Sequence, residues 1–111
     1  MTWIQVADYE SMSRLAADLL FQHIRKASES GLEFRLGLAT GNTMVRPYEL
    51  LAERLNRECI SLEGLITFNL DEYAEPDGRR VALDHPLSYT TYMERSFFSR
   101  LDPGLGFDRR R

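Results

Sequence analysis

The sequence predicts an α/β fold, an open parallel sheet flanked by helices, and three observations carry that prediction. Apolar residues recur at helical spacing in three segments. Short apolar runs of strand length lie between them. The two kinds of segment alternate along the chain, the order expected of parallel strands joined by helical crossovers.

"WIQVA" (residues 3–7) predicts a short first strand. Asp8 then caps a helix whose stripe is Leu15, Ala16, Leu19, Leu20, His23 and Ile24, and Gly31 stops it. In "FRLGLAT" (34–40), Phe34, Leu36 and Leu38 alternate with Arg35, Gly37 and Ala39. This predicts a strand with one small-residue face, where something packs closely. Tyr48, Leu51, Ala52 and Leu55 mark a second helix. "LITFNL" (65–70) is apolar at nearly every position, as in a parallel strand covered on both faces. "EPDGRRVALDH" (75–85) reads as a polar loop. A third helix is expected from about Pro86, with Tyr89, Tyr92, Met93, Phe97 and Leu101 on one face, until "DPGLGF" breaks it. The pattern is a partial Rossmann-like sheet. Three short strands are fewer than a sheet apolar on both faces needs, so residues 1–111 read as a single incomplete α/β domain, the first part of a larger one.

Composition narrows the function. The chain has 111 residues, 43% hydrophobic and 28% charged, the balance of a soluble globular protein with a small core. Of its 14 basic residues, three are the terminal Arg109, Arg110 and Arg111; the other 11 stand against 17 acidic residues. Such a body is a poor polyanion binder, which argues against nucleic acid. No apolar run approaches the roughly 20 residues of a membrane span, and "MTWIQVADYE" has neither the basic nor the apolar region of a signal peptide. Cys59 is the single cysteine, read as a packing residue near a helix end. Its solitude excludes an internal disulfide and fits a reducing cytoplasm.

Ligands of an open parallel sheet bind beyond the carboxyl ends of its strands. Two loops are expected there. The first holds Thr40, Gly41, Asn42 and Thr43 ahead of a helix. Gly41 permits a close backbone approach, and free N–H groups with two hydroxyls suit an anion. A plain turn with a threonine cap fits the same four residues. The second loop, "NLDEY" (69–73), carries Asp71. A carboxylate on a strand's end is held rigidly, as a general base must be, although a solvated strand end reads the same way. Alternation sends Asp71 and Glu72 to opposite sides, with Glu72 outward. Tyr73 reads as a packing residue with its hydroxyl at the surface.

Taken together, "LGLATGNT", "ITFNLDEY" and "HPLSYTTYMERSFF" resemble the glucosamine-6-phosphate deaminase family over residues 9–107, less than half of a full-length member. The related 6-phosphogluconolactonases are similar but typically carry Asp-Glu-Arg where this chain has Asp71, Glu72 and Tyr73. The resemblance implies an aldose–ketose isomerisation coupled to loss of ammonia, turning glucosamine 6-phosphate into fructose 6-phosphate in amino-sugar catabolism. It implies that Asp71 is catalytic and takes the C2 proton. It also implies that Thr40, Gly41, Asn42 and Thr43 hold the sugar phosphate, with Tyr89 beside the substrate. No metal or organic cofactor is implied; the expected partners are a small-molecule sugar phosphate and a second copy of the chain.

The chain departs from the family in three places. Met44 stands where the family turn usually has proline, and Pro47 follows three residues later. If Thr43 caps, Pro47 occupies the fourth helical position; alternatively the helix starts at Pro47 with Arg46 as its cap. The family's later Asp-x-His segment, which opens the sugar ring, has no counterpart, since His23 lies on a helix stripe and reads as core, and His85 precedes Pro86. The family's phosphate-clamping basic residues also lie further along, and Lys26, the single lysine, is on the wrong helix. The expectation is a chain inactive alone, with exposed apolar surface on its last strand or helix and a tendency to self-associate. A lactone hydrolase and a non-catalytic sugar-phosphate binder are the alternatives.

Overall fold

The computed structural model describes residues 2–82 and 84–110; Leu83 of the polar loop and Arg111 of the basic terminus lie outside the described residues. The elements run α1 (Tyr9–Glu29), β1 (Phe34–Leu38), a single 3₁₀ turn (Asn42–Met44), α2 (Val45–Arg57), β2 (Leu65–Asn69) and α3 (Tyr89–Ser96), followed by 3₁₀ turns at Phe98–Arg100 and Pro103–Leu105. β1 and β2 pair in parallel, with Phe34 opposite Leu65 and Leu38 opposite Asn69, so α2 is the crossover between them.

α1 starts where the sequence predicts. The Asp8 carboxylate accepts from the Ser11 N–H at 2.8 Å, and the chain leaves the helix through Gly31 at φ 66°. Its buried face is Ser13, Ala17, Phe21 and Ile24; of the predicted stripe, Ile24 is buried and Leu20 packs half-buried against the core, while Leu15 and Ala16 are half-buried. Small residues let α1 approach α2 closely, while Leu19 and His23 are exposed; His23 is therefore not a core residue but stacks on the Phe34 ring at 6.3 Å. Across the same junction Arg54 reaches Asp18 at 2.6 Å and lies 4.0 Å over the Phe21 ring. α2 buries the predicted Tyr48, Leu51, Ala52 and Leu55. Cys59 is exposed rather than packed, because it leaves α2 at φ 51° and its side chain turns outward.

Two predicted elements differ. Residues 3–7 form no strand: Trp3 is 86% and Ile4 58% exposed, and the sheet has only two strands among the described residues. The sheet's outer edges are free, but this segment pairs with neither of them. α3 begins at Tyr89 instead of Pro86. The His85 N–H first donates to the Ala82 carbonyl and the Ser88 N–H to the His85 carbonyl, and the Ser88 hydroxyl then caps the helix by accepting from the Thr90 N–H at 3.1 Å. It ends at Ser96, but Phe97 and Leu101 stay buried through the following turn.

Leu36, Leu38 and Leu65 face a core built with Phe21, Tyr48, Leu51, Met93 and Phe97. The other sheet face is open. There Gly37 leaves room for Leu70, whose Cδ2 lies 3.1 Å from where a Cβ on Gly37 would sit. Phe68 and Leu70 are 53% and 67% exposed. β2 is thus covered on one face, not both, since no described element packs on the other. The exposed apolar surface expected of this strand is present.

Candidate functional site

Parallel pairing puts the ends of β1 and β2 at one edge, so the loop after Leu38 and the loop after Asn69 leave the sheet side by side. The N-terminus of α3 arrives at the same place.

The first loop turns at Gly41, whose φ of 105° and ψ of 166° lie in a region open essentially to glycine alone. The Met44 N–H donates to the Gly41 carbonyl at 3.2 Å, closing the 3₁₀ turn. Thr43 does not cap α2, nor does Arg46; the helix starts at Val45 after Met44, without a side-chain cap. Pro47 therefore falls at the third helical position, where an N–H has no intrahelical acceptor in any case. The displaced proline costs α2 no hydrogen bond. Three tyrosines hold the loop's carbonyls. Tyr48 donates to Ala39, Tyr92 to Gly41 at 2.6 Å, and Tyr9 to Asn42 and Thr43 at 3.1 and 3.0 Å. Burial pushes the Tyr48 phenol up, so this hydroxyl stays protonated and donating. The Asn42 and Thr43 N–H groups have no acceptor among the described residues.

In the second loop, Asp71 is exposed. Glu72 is not the outward neighbour that alternation predicts. The strand ends at Asn69, so strand geometry no longer governs position 72. Its carboxylate turns to the start of α3 and accepts from the Ser88 hydroxyl (2.6 Å) and the N–H groups of Tyr89 (2.9 Å), Thr90 (3.4 Å) and Tyr73 (2.8 Å). Burial pushes the Glu72 carboxyl up, but these hydrogen bonds outweigh it and hold the group at about 2. Glu72 so fixes Tyr89, whose ring lies 5.0 Å from that of Tyr73. The Tyr89 phenol is raised, first by its hydrogen bond with Tyr73 and then by desolvation, against a hydrogen bond with Thr40 that lowers it.

A cleft of about 710 Å³ opens between the two loops and α3. Thr40, Gly41 and Asn42 form one wall, with Tyr73 and Tyr89 opposite. Asp71 and Thr43 are not in the cleft wall; Thr43 sits one residue past Asn42, which lines it. Sequence reasoning missed Arg95 and Arg100, which also line the cleft. Arg100 lies 3.6 Å from Glu49, whereas Arg95 has no carboxylate partner among the described residues. Their signal was available: Tyr89, Tyr92 and Arg95 are spaced three apart, on neighbouring turns of one helix. Neither histidine lines the cleft, and the His85 Nδ1 accepts from the Leu87 N–H at 3.0 Å. No group of three or more His, Cys, Asp or Glu side chains that could hold a metal occurs among the described residues, and no described helix is long and apolar enough to cross a membrane.

No family model matches the chain. Individual proteins do. A glucosamine-6-phosphate deaminase from Porphyromonas gingivalis is 38% identical over 96 residues, 86% of this chain and 35% of that enzyme. Those of a Geobacillus species and of Rhodopirellula baltica are 38% and 41% identical over 102 and 97 residues, which is 92% and 87% of this chain against 37% and 35% of theirs. A solved structure of a monomeric glucosamine-6-phosphate deaminase of the NagB superfamily superposes with a TM-score of 0.78 at 32% identity, covering 96% of this chain and 42% of that one. The chain thus spans little more than a third of the length of the curated relatives it matches, and nothing in these matches favours the lactonase or the non-catalytic alternative. By sequence and by fold, the chain is a homologue of the glucosamine-6-phosphate deaminases over the part of their length that it spans.

Proposed function

We propose that this chain, a single incomplete domain, carries the phosphate-binding and proton-abstracting part of a glucosamine-6-phosphate deaminase site. The observation that supports this most is the gathering of Thr40, Gly41 and Asn42 in one cleft with Tyr89, at the sheet edge where the loop carrying Asp71 also leaves. In this reading the free Asn42 and Thr43 N–H groups and the Thr40 hydroxyl receive the phosphate, and Arg95 adds positive charge from the wall. Asp71 takes the C2 proton of the ring-opened sugar. That proton is acidic because it lies next to the carbonyl, and a carboxylate suffices if its geometry is fixed. The enolamine left behind is protonated at C1, and water hydrolyses the resulting imine to fructose 6-phosphate and ammonia. We place the chain in the cytoplasm, where such sugar phosphates are metabolised, and assign it self-association through its open sheet face.

Ring opening needs a further acid–base group, and neither histidine is in the cleft. The 111-residue chain should therefore bind glucosamine 6-phosphate in calorimetry and release no ammonia from it. Ammonia release by the purified monomer, or failure to bind any sugar phosphate, would count against this assignment.

A further inference from the structure

We infer that the hydroxyls of Tyr9 and Tyr92 are positioning groups that fix the peptide units carrying the Asn42 and Thr43 N–H groups beside the cleft. The inference rests on the sugar-phosphate reading of that cleft and adds residues that neither the motif comparison nor the matches assign.

The argument starts from the peptide unit. In a trans peptide the C=O and the following N–H point in opposite directions. Holding the Gly41 carbonyl therefore aims the Asn42 N–H, and holding the Asn42 carbonyl aims that of Thr43. Tyr92 holds the first at 2.6 Å, and Tyr9 the second at 3.1 Å. Backbone bonds close the turn, from the Met44 N–H to the Gly41 carbonyl and from the Val45 N–H to the Asn42 carbonyl, and the tyrosines give each carbonyl a second donor from outside the loop, where Gly41 sits at a positive φ with nothing within 4 Å of a would-be Cβ. The third amide of the turn, Met44, is already spent on the Gly41 carbonyl.

The braces come from opposite sides. Tyr9 is the first residue of α1 and Tyr92 lies within α3, 33 and 51 residues from the carbonyls they hold. Tyr9 is also saturated: it donates to the loop and accepts from the Arg46 N–H at 3.3 Å. Its ring is 47% exposed, so the hydroxyl, rather than burial of the ring, accounts for its placement. With both carbonyls held, the two free N–H groups meet an anion without first losing loop entropy.

Tyr9→Phe and Tyr92→Phe keep the rings and remove only the hydroxyls. The test is titration of the ¹⁵N-labelled 111-residue chain with inorganic phosphate and with glucosamine 6-phosphate, following the Asn42 and Thr43 amide signals, with melting temperatures measured alongside. We expect those amides to shift in the wild type. Each variant should bind about threefold to tenfold more weakly, the loss of one net hydrogen bond, with nearly unchanged melting and with shifts in the free state confined to residues 40–44. Weakened binding that merely tracks a lowered melting temperature in both variants overturns the inference, and the exposed position of Tyr9 makes that variant the one least exposed to folding loss. Wild-type affinity in both variants overturns the brace and leaves the sugar-phosphate site standing. Wild-type amides that ignore both ligands overturn the site itself.

Discussion

The carboxyl edge of the sheet and its open face are made by the same two strands and are finished to different degrees. At the edge, the carbonyls of Ala39, Gly41, Asn42 and Thr43 are held by tyrosines, and Glu72 joins the second loop to the start of α3 through three donors, those of Ser88, Tyr89 and Thr90. On the face, Phe68 and Leu70 stand more than half exposed with no described element above them. Local chain can organise polar loops, because caps and hydroxyl braces need only a few nearby residues. Covering an apolar sheet face needs another layer of structure. The cleft is accordingly braced by this chain's own residues, and the sheet face is where this chain depends on something more.

The sharpest break of that comparison is at the edge. In a full-length deaminase carrying this segment, Asp71→Asn keeps the shape and removes the base. General-base catalysis is worth about 10²–10⁴-fold, so ammonia release should fall by that order while phosphate affinity is retained. A variant with near-normal turnover would place the base elsewhere and reduce the edge to a binding loop.

The edge was legible because its logic is topological. Alternating helix and strand patterns imply parallel pairing, and parallel pairing alone brings the Gly41 loop and Asp71 to one side. What was not legible depended on tertiary partners or on where an element stops. Residues 3–7 alternate like a strand but pair with neither strand of the sheet. The predicted α1 stripe shares Ile24 with the buried face but leaves out Ser13, Ala17 and Phe21, which the packing turns inward. Glu72 was sent outward by an alternation rule that expires at Asn69, and its partners, Ser88 to Thr90, lie 16 to 18 residues on.

A second, smaller effect sharpens the edge's order. The Glu72 carboxyl titrates at about 2 in the fold against 4.5 ordinarily, the hydrogen bonds of Ser88, Tyr89, Tyr73 and Thr90 overcoming the opposing effect of burial. A depressed carboxyl contributes stability that is fully present above its unfolded value and is lost as pH falls through the folded one. Wild-type stability should therefore drop between pH 4.5 and 2. Other carboxylates titrate there too, so the measurement is the difference from Glu72→Gln, in chemical denaturation at each pH. The variant should be less stable by about 1–2 kcal/mol near neutrality, as expected on losing hydrogen bonds to a half-exposed charge, and the gap should close toward pH 2. A gap independent of pH would mean that the carboxylate does not hold α3.

The smallest effect on folding stability, and the most direct test of the open face, comes from Phe68→Ser combined with Leu70→Ser. Both side chains already meet solvent over more than half their surface, so little burial is lost. Gly37 keeps its close neighbour only through the Leu70 methyls, a contact at the sheet's rim. Folding stability should change by no more than about 1 kcal/mol. Association should change far more. A two-stranded sheet with an open apolar face and unpaired edges is a surface that other copies can cover. The wild-type chain should show concentration-dependent self-association in sedimentation, and the double variant should sediment as a monomer at the same concentrations. If the two sediment alike, the face is inert in this chain, and the contrast between a finished edge and an unfinished face describes only packing, not behaviour.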